Sequence, residues 1–232
     1  MRRAALEQLC AQYWFPLFAH QRRRGRSTAN AAATVEGLLT RLVNDGRGLA
    51  ELERGPDRFR EWLFAYLKER ERDLWGGDQV ASPTSEHAPI PVHGDEGERR
   101  LNTQLAFHPD PLVTYEQAWA SETLRMTRDL LSEEMIRAGQ QRSCELLLPM
   151  LDADAPRDRA AAAAELRKSD LILRVTLSRL RGRFQELLLG VVAESLMDRA
   201  EAGHELTFLS QILADNPTKR APITDRSDAN RT

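Results

Sequence analysis

Eight cations fall between residues 157 and 185: Arg157, Arg159, Arg167, Lys168, Arg174, Arg179, Arg181 and Arg183. Only three acids, Asp158, Glu165 and Asp170, stand among them. The chain has 232 residues and a formal net charge of −2, so no global field draws it to a polyanion. The local excess must serve a local basic surface, and the chemistry it suits is binding nucleic acid. The spacing supports this. Five alanines, 160–164, and Leu166 form a short helix, Arg167-Lys168 a turn, and Ser169 the N-cap of a second, longer helix. In that helix Leu173, Leu177, Leu180 and Phe184 recur at steps of four, three and four, which makes one buried stripe. Arg174, Ser178 and Arg181 then fall on the other side, with Ser169 and Asp170 at the helix start. A helix, a tight turn and a basic helix in this order read either as a helix-turn-helix, whose second helix enters the major groove, or as an ordinary amphipathic helix pair with a solvated basic face. Arg174, Ser178 and Arg181 are placed to read base edges. Lys168, Arg179 and Arg183 are placed for phosphates.

Other chemistries lack their residues. The histidines (20, 87, 93, 108 and 204) are not at zinc-like spacing with cysteine or one another. Asp152 and Asp154 are two loop carboxylates of the kind solvent usually covers. Cys10 and Cys144 lie far apart in apolar patterns and suit small buried positions, which points to a reducing compartment. There is no glycine-rich phosphate loop after a strand and no nucleophile elbow. The expectation is a protein that acts by binding, not an enzyme, with no cofactor and no metal. MRRAALEQLC lacks an apolar core of signal-peptide length, so no signal peptide is expected, and no apolar run is long enough for a bilayer. A cytoplasmic protein without membrane contact is expected.

The elements that position these residues read as helices throughout, giving an all-α fold. Residues 4–22 place Leu6, Leu9, Cys10, Tyr13, Trp14, Leu17 and Phe18 on one face, with Pro16 a possible kink. The basic run Arg22–Arg26 carries a turn at Gly25. Ser27 or Thr28 then caps a helix over 29–45 with Val35, Leu38, Leu39 and Leu42 inside. A third helix runs 56–75, opened by Pro56 and facing inward with Phe59, Trp62, Leu63, Tyr66 and Leu67. Residues 76–112 are rich in Gly, Pro, Ser and acids, and read as a flexible linker. Helical periodicity resumes over 113–138 and stops at Gly139. A short helix at 144–151, the helix-turn-helix and one or two helices over 185–214 follow. Residues 215–232 read as a disordered tail. The predicted division is 1–75, linker 76–112, and 113–214.

Three segments, in order, resemble bacterial extracytoplasmic-function sigma factors, most closely the group common in planctomycete-type genomes. LCAQYWFPLFAHQRRRGRSTANAAATVEGLLTRLV looks like the start of the sigma-2 domain, and PDRFREWLFAYLKERERDLW like its promoter-melting helix. Residues 158–188 look like the sigma-4 helix-turn-helix. The Tyr13–Leu17 run and the Arg58-Phe59-Arg60 step are the most specific marks. The resemblance implies two helical domains joined by a linker, with RNA polymerase core, promoter DNA and an anti-sigma or other regulatory protein as partners. It implies −35 contact by Lys168, Ser169, Asp170, Arg174, Ser178, Arg179, Arg181 and Arg183. It implies −10 contact by Arg58, Arg60, Lys68, Arg72 and Trp75, the last stacking on an unpaired base. Core polymerase would be met at Asn30, Ala33 and Glu36. Departures are visible: Ala29–Glu36 has one charge where such proteins carry several, Arg167 stands where the turn usually has Gly, and Gly182 interrupts the recognition helix. A sigma-like DNA-binding adaptor that no longer binds core is therefore the competing expectation.

Overall fold

Apolar positions at steps of three and four yield helices wherever the chain is described. The computed structural model describes residues 2–45, 58–75, 93–151, 156–196 and 198–215, and among them there is no β-strand. The helices are α1 (Arg2–Arg23), α2 (Thr28–Asp45), α3 (Phe59–Trp75), α4 (Gly94–Gln104), α5 (Pro111–Arg137), α6 (Gln141–Leu147), α7 (Pro156–Glu165), α8 (Asp170–Glu194) and α9 (Ala202–Asp215). Pro16 lies inside α1 without ending it. The predicted stop at Gly139 is seen: it takes φ +71°, and the Gly139 and Gln140 amides donate to Ile136 and Met135 carbonyls. Pro56, Asp152, Asp154, His87 and the tail beyond 215 lie outside the described residues.

The chain forms two compact units, Met1–Ser121 with Thr207–Thr232, and Glu122–Leu206. In the first, Tyr13, Leu17, Phe18, Val35, Leu42, Leu63 and Leu67 are buried, and Tyr13 meets Phe59 edge-on at 5.0 Å. The expected boundaries need correction. Residues 93–112 are not a free linker: α4 packs on α1 and α2, burying Leu101 and Leu105. Two apolar anchors suffice because Gly97 lets α4 come against Trp14 and Phe18, while Glu98 holds Arg22 and Thr28. The start of α5 and the end of α9 also belong to this unit. Tyr115 donates to the Arg60 carbonyl at 3.0 Å, and Trp119 and Phe208 are neighbouring rings.

In the second unit Ala162, Ala163, Leu147, Leu173 and Leu177 form one core, flanked by Leu166 and Leu180. Leu131, Met135 and Cys144 form another, against which Leu180 and Phe184 pack. The predicted stripe of α8 thus faces inward. Alanine at 162 and 163, both buried in this core, leaves α7 close to α8. Between them Arg167 takes φ +52°, a left-handed conformation that favours glycine. Replacing Arg167 by Gly is expected to raise stability by about 0.5–1 kcal/mol. The urea midpoint would rise at unchanged slope. A fall would show instead that the Arg167 side chain secures the turn.

Candidate nucleic-acid interface

Helix α8 begins with a formed cap: the Ser169 hydroxyl oxygen accepts from the Ile172 amide at 3.4 Å. Arg159 of α7, nearly buried, donates to Asp170 at 2.7 Å, which sets α7 against the first turn of α8. Asp170 also pairs with Arg174 at 2.9 Å. The two guanidiniums hold its carboxyl below the usual range, the hydrogen bond from Arg159 first. Asp170 is therefore an internal anchor that orients Arg174, which still exposes 62% of its side chain. Arg167, Lys168, Ser178 and Arg179 are exposed beside it. These residues form one outward surface at the front of α8.

Two residues expected on that surface are elsewhere. Arg181 turns back, donating to the carbonyls of Met150 (3.1 Å) and Leu151 (3.3 Å). It satisfies carbonyls at the end of the 3₁₀ turn Leu148–Met150 that follows α6. Arg183 forks onto Glu134 of α5 at 2.9 and 2.7 Å and reaches Glu186 at 2.7 Å. Those carboxylates raise its pKa, the Glu134 bond first. Arg181 and Arg183 thus hold the unit together. Both lie toward the edge of the buried stripe, where a long side chain meets the protein before solvent.

In the first unit the expected −10 residues also divide. Arg60 is 5% exposed, with its guanidinium 5.0 Å from the Trp119 ring and 4.4 Å from the Phe208 ring. It pairs with Glu116 at 3.6 Å, so it is a core residue. Arg58 pairs with Glu61 at 3.1 Å. Lys68 lies over the Phe64 ring at 4.5 Å. Lys68 and Arg72, both exposed, line a cavity of about 790 Å³ with His20, Arg24, Arg26 and Glu71. Glu71, buried, accepts from Gln21 at 2.8 Å and pairs with Arg24 and Arg26. The basic run after α1 is therefore largely engaged inside its own unit. The Trp75 side chain lies outside the described residues. Of the expected core-binding residues, Ala33 is exposed and Asn30 and Glu36 are half-buried on α2; the Asn30 amide donates to the Ser27 hydroxyl at 3.3 Å, the predicted cap.

His20, 4% exposed, was not singled out by its sequence context. Its Nδ1–H donates to the Pro111 carbonyl at 3.1 Å, the only role open to that nitrogen against a carbonyl. Burial outweighs this bond and holds the imidazole below its ordinary pKa of 6.5. The unfolded chain thus takes up a proton at a pH where the folded one does not. Stability from this group is full above pH 6.5 and is lost as pH falls from 6.5 through the lowered folded value. Urea midpoints should fall from pH 8 to pH 5.5, and His20→Gln should flatten that dependence. An unchanged slope in the variant would remove His20 as its source.

Among the described residues no cluster of His, Cys, Asp or Glu could hold a metal ion. No described helix is long and apolar enough to cross a membrane. Compared with protein-family models, with curated proteins and with solved structures, the chain matches none.

The surface also contains residues that sequence reasoning passed over. Leu171 is 72% exposed, Ile172 52% and Val175 44%. Leu171 and Val175 lie on the same outward face as Ser178, with Arg174 at one border of that face and Ile172 at the other. The signal was present in the spacing: 171, 175, 178 and 182 repeat the four-three-four steps of the buried stripe, shifted by two residues.

Proposed function

We propose that this chain is an RNA polymerase sigma factor of the extracytoplasmic-function type, working in the cytoplasm by binding rather than catalysis. The observation that carries the reading is the front of α8. It is a capped helix, set by α7 across a tight turn, with Arg174, Ser178 and Arg179 outward and Arg167 and Lys168 beside it. That is the form of a helix that enters a major groove, with arginine for guanine edges and flanking cations for phosphates. In this reading the second unit meets the −35 element. The first unit meets polymerase core through the α2 face at Asn30, Ala33 and Glu36, and the −10 region through Lys68 and Arg72. Arg60, Arg181 and Arg183 contribute only by holding their units. The resemblance of 8–75 to a sigma-2 domain supports the assignment of that unit.

Capture of polymerase core by the full chain, followed by transcription from a library of promoters, tests the reading. The expected result is a stable complex that starts transcripts at a defined set of sites. Sequence-specific DNA binding without core capture would favour the adaptor instead. The weakly charged Ala29–Glu36 stretch gives that outcome its physical basis, since each missing charge-assisted contact is worth about 1.5–3 kcal/mol. Neither core capture nor DNA binding would sink both.

A further inference from the structure

The exposed aliphatic residues of α8 need an explanation that folding does not supply. Leu171 and Val175 are four residues apart, Ser178 and Gly182 continue at steps of three and four, and Ile172 flanks the first turn. This row lies about 200° around the helix from the buried row of Leu173, Leu177, Leu180 and Phe184. Three large aliphatics on one exposed face cost solubility and gain nothing from the protein's own core. Gly182 points the same way. A side chain there would meet nothing within 4 Å, so no internal contact requires glycine, and glycine costs the helix about 1 kcal/mol relative to alanine. A glycine without an internal reason on an outer face suits the close approach of something else.

The rim names the chemistry of that partner. Arg174 borders the row on one side and Arg179 on the other, with Arg167 and Lys168 at its front. The acids near it are both paired: Asp170 with Arg159 and Arg174 at its start, and Glu186, one turn beyond Gly182, with Arg183. An aliphatic row inside a mainly cationic rim, its acids paired with arginines, fits a polyanion that presents methyl groups between its charges. Duplex DNA does this in the major groove, where each thymine displays a 5-methyl group. We infer that Leu171, Ile172 and Val175 read thymine methyls, next to a guanine taken by Arg174, and so fix the sequence preference of α8. This rests on the reading of α8 as a major-groove helix.

The test begins with a random duplex pool from which the full chain, with RNA polymerase core present, selects its sites. In the selected site each thymine is then replaced singly by deoxyuridine, which lacks only the methyl. The expected result is a loss of about 4-fold at each of two or three adjacent positions, the value of one buried methyl. Leu171→Ser and Val175→Ser should remove that sensitivity, bringing the ratio of thymine-site to uracil-site affinity to within 2-fold of one. Both positions are exposed, so their urea midpoints should stay near that of the parent chain. Sequence-specific binding with no response to uracil overturns the inference and leaves the major-groove reading standing, the row then belonging to a protein partner. No sequence preference at all overturns both.

Discussion

Arg60→Ala should cost the first unit about 3 kcal/mol, and the loss should show as a lower urea midpoint. The guanidinium lies over the neighbouring rings of Trp119 and Phe208 and faces Glu116 at 3.6 Å. A desolvated cation over an aromatic face is worth about 2 kcal/mol or more. Removing one member of a buried pair leaves the other charge uncompensated, at about 3–5 kcal/mol. Glu116 keeps 23% of its side chain in solvent, which lowers that second figure and sets the total near 3. Arg58→Ala and Arg72→Ala, at half-buried and exposed positions, should change stability by about 0.5 kcal/mol or less and so barely move the midpoint. The contrast has a functional use. Any loss of DNA binding in Arg60→Ala should follow the fraction unfolded and recover on cooling or at lower denaturant. A stable Arg60→Ala chain with impaired DNA binding would return Arg60 to the interface.

Arg60 also marks where sequence reading ends. Its neighbours in the chain, Arg58 and Glu61, resemble any solvated helix surface, and nothing near it announces Trp119 or Phe208. Arg181 and Arg183 are alike in this. Glu134, the partner of Arg183, is 49 positions away, and the carbonyls that Arg181 caps are 30 and 31 positions away. Charge and helical spacing say which side a cation leaves from, but not which distant carboxylate or carbonyl waits there. Local features were legible for the opposite reason. Ser169 as a cap, Gly139 as a stop, the turn at Arg167-Lys168 and the inward row of α8 depend on residues within one or two turns. The outward row is equally local, but apolar residues at helical spacing point first to a core, and spacing that shows a second row does not mark Leu171, Ile172 and Val175 as exposed.

Gly97 is the second place where a single substitution should be felt strongly. Residues 93–112 carry few apolar groups, so composition suggested a linker, yet α4 is docked. A Cβ built on Gly97 would lie 2.8 Å from Cε1 of Phe18 and 2.9 Å from Cη2 of Trp14. Phe18 is fully buried and its ring stacks on Trp14 at 5.0 Å, so neither can simply turn away. Overpacking of this kind costs about 1–3 kcal/mol. For Gly97→Ala the gain in helix propensity, about 1 kcal/mol, offsets part of it. Gly97→Ala should therefore be destabilising by about 1 kcal/mol, and Gly97→Leu by about 3 kcal/mol. Gly182→Ala in α8 provides the opposite sign: with nothing within 4 Å, the same change should stabilise by about 1 kcal/mol. In Gly97→Leu, α4 should come off as a unit, because Leu101, Leu105 and the Glu98–Arg22 pair depend on the same approach. Amide hydrogen exchange over 94–104 would then rise while α8 stays protected. Unchanged protection in the leucine variant would mean that α4 is held without the close contact at Gly97.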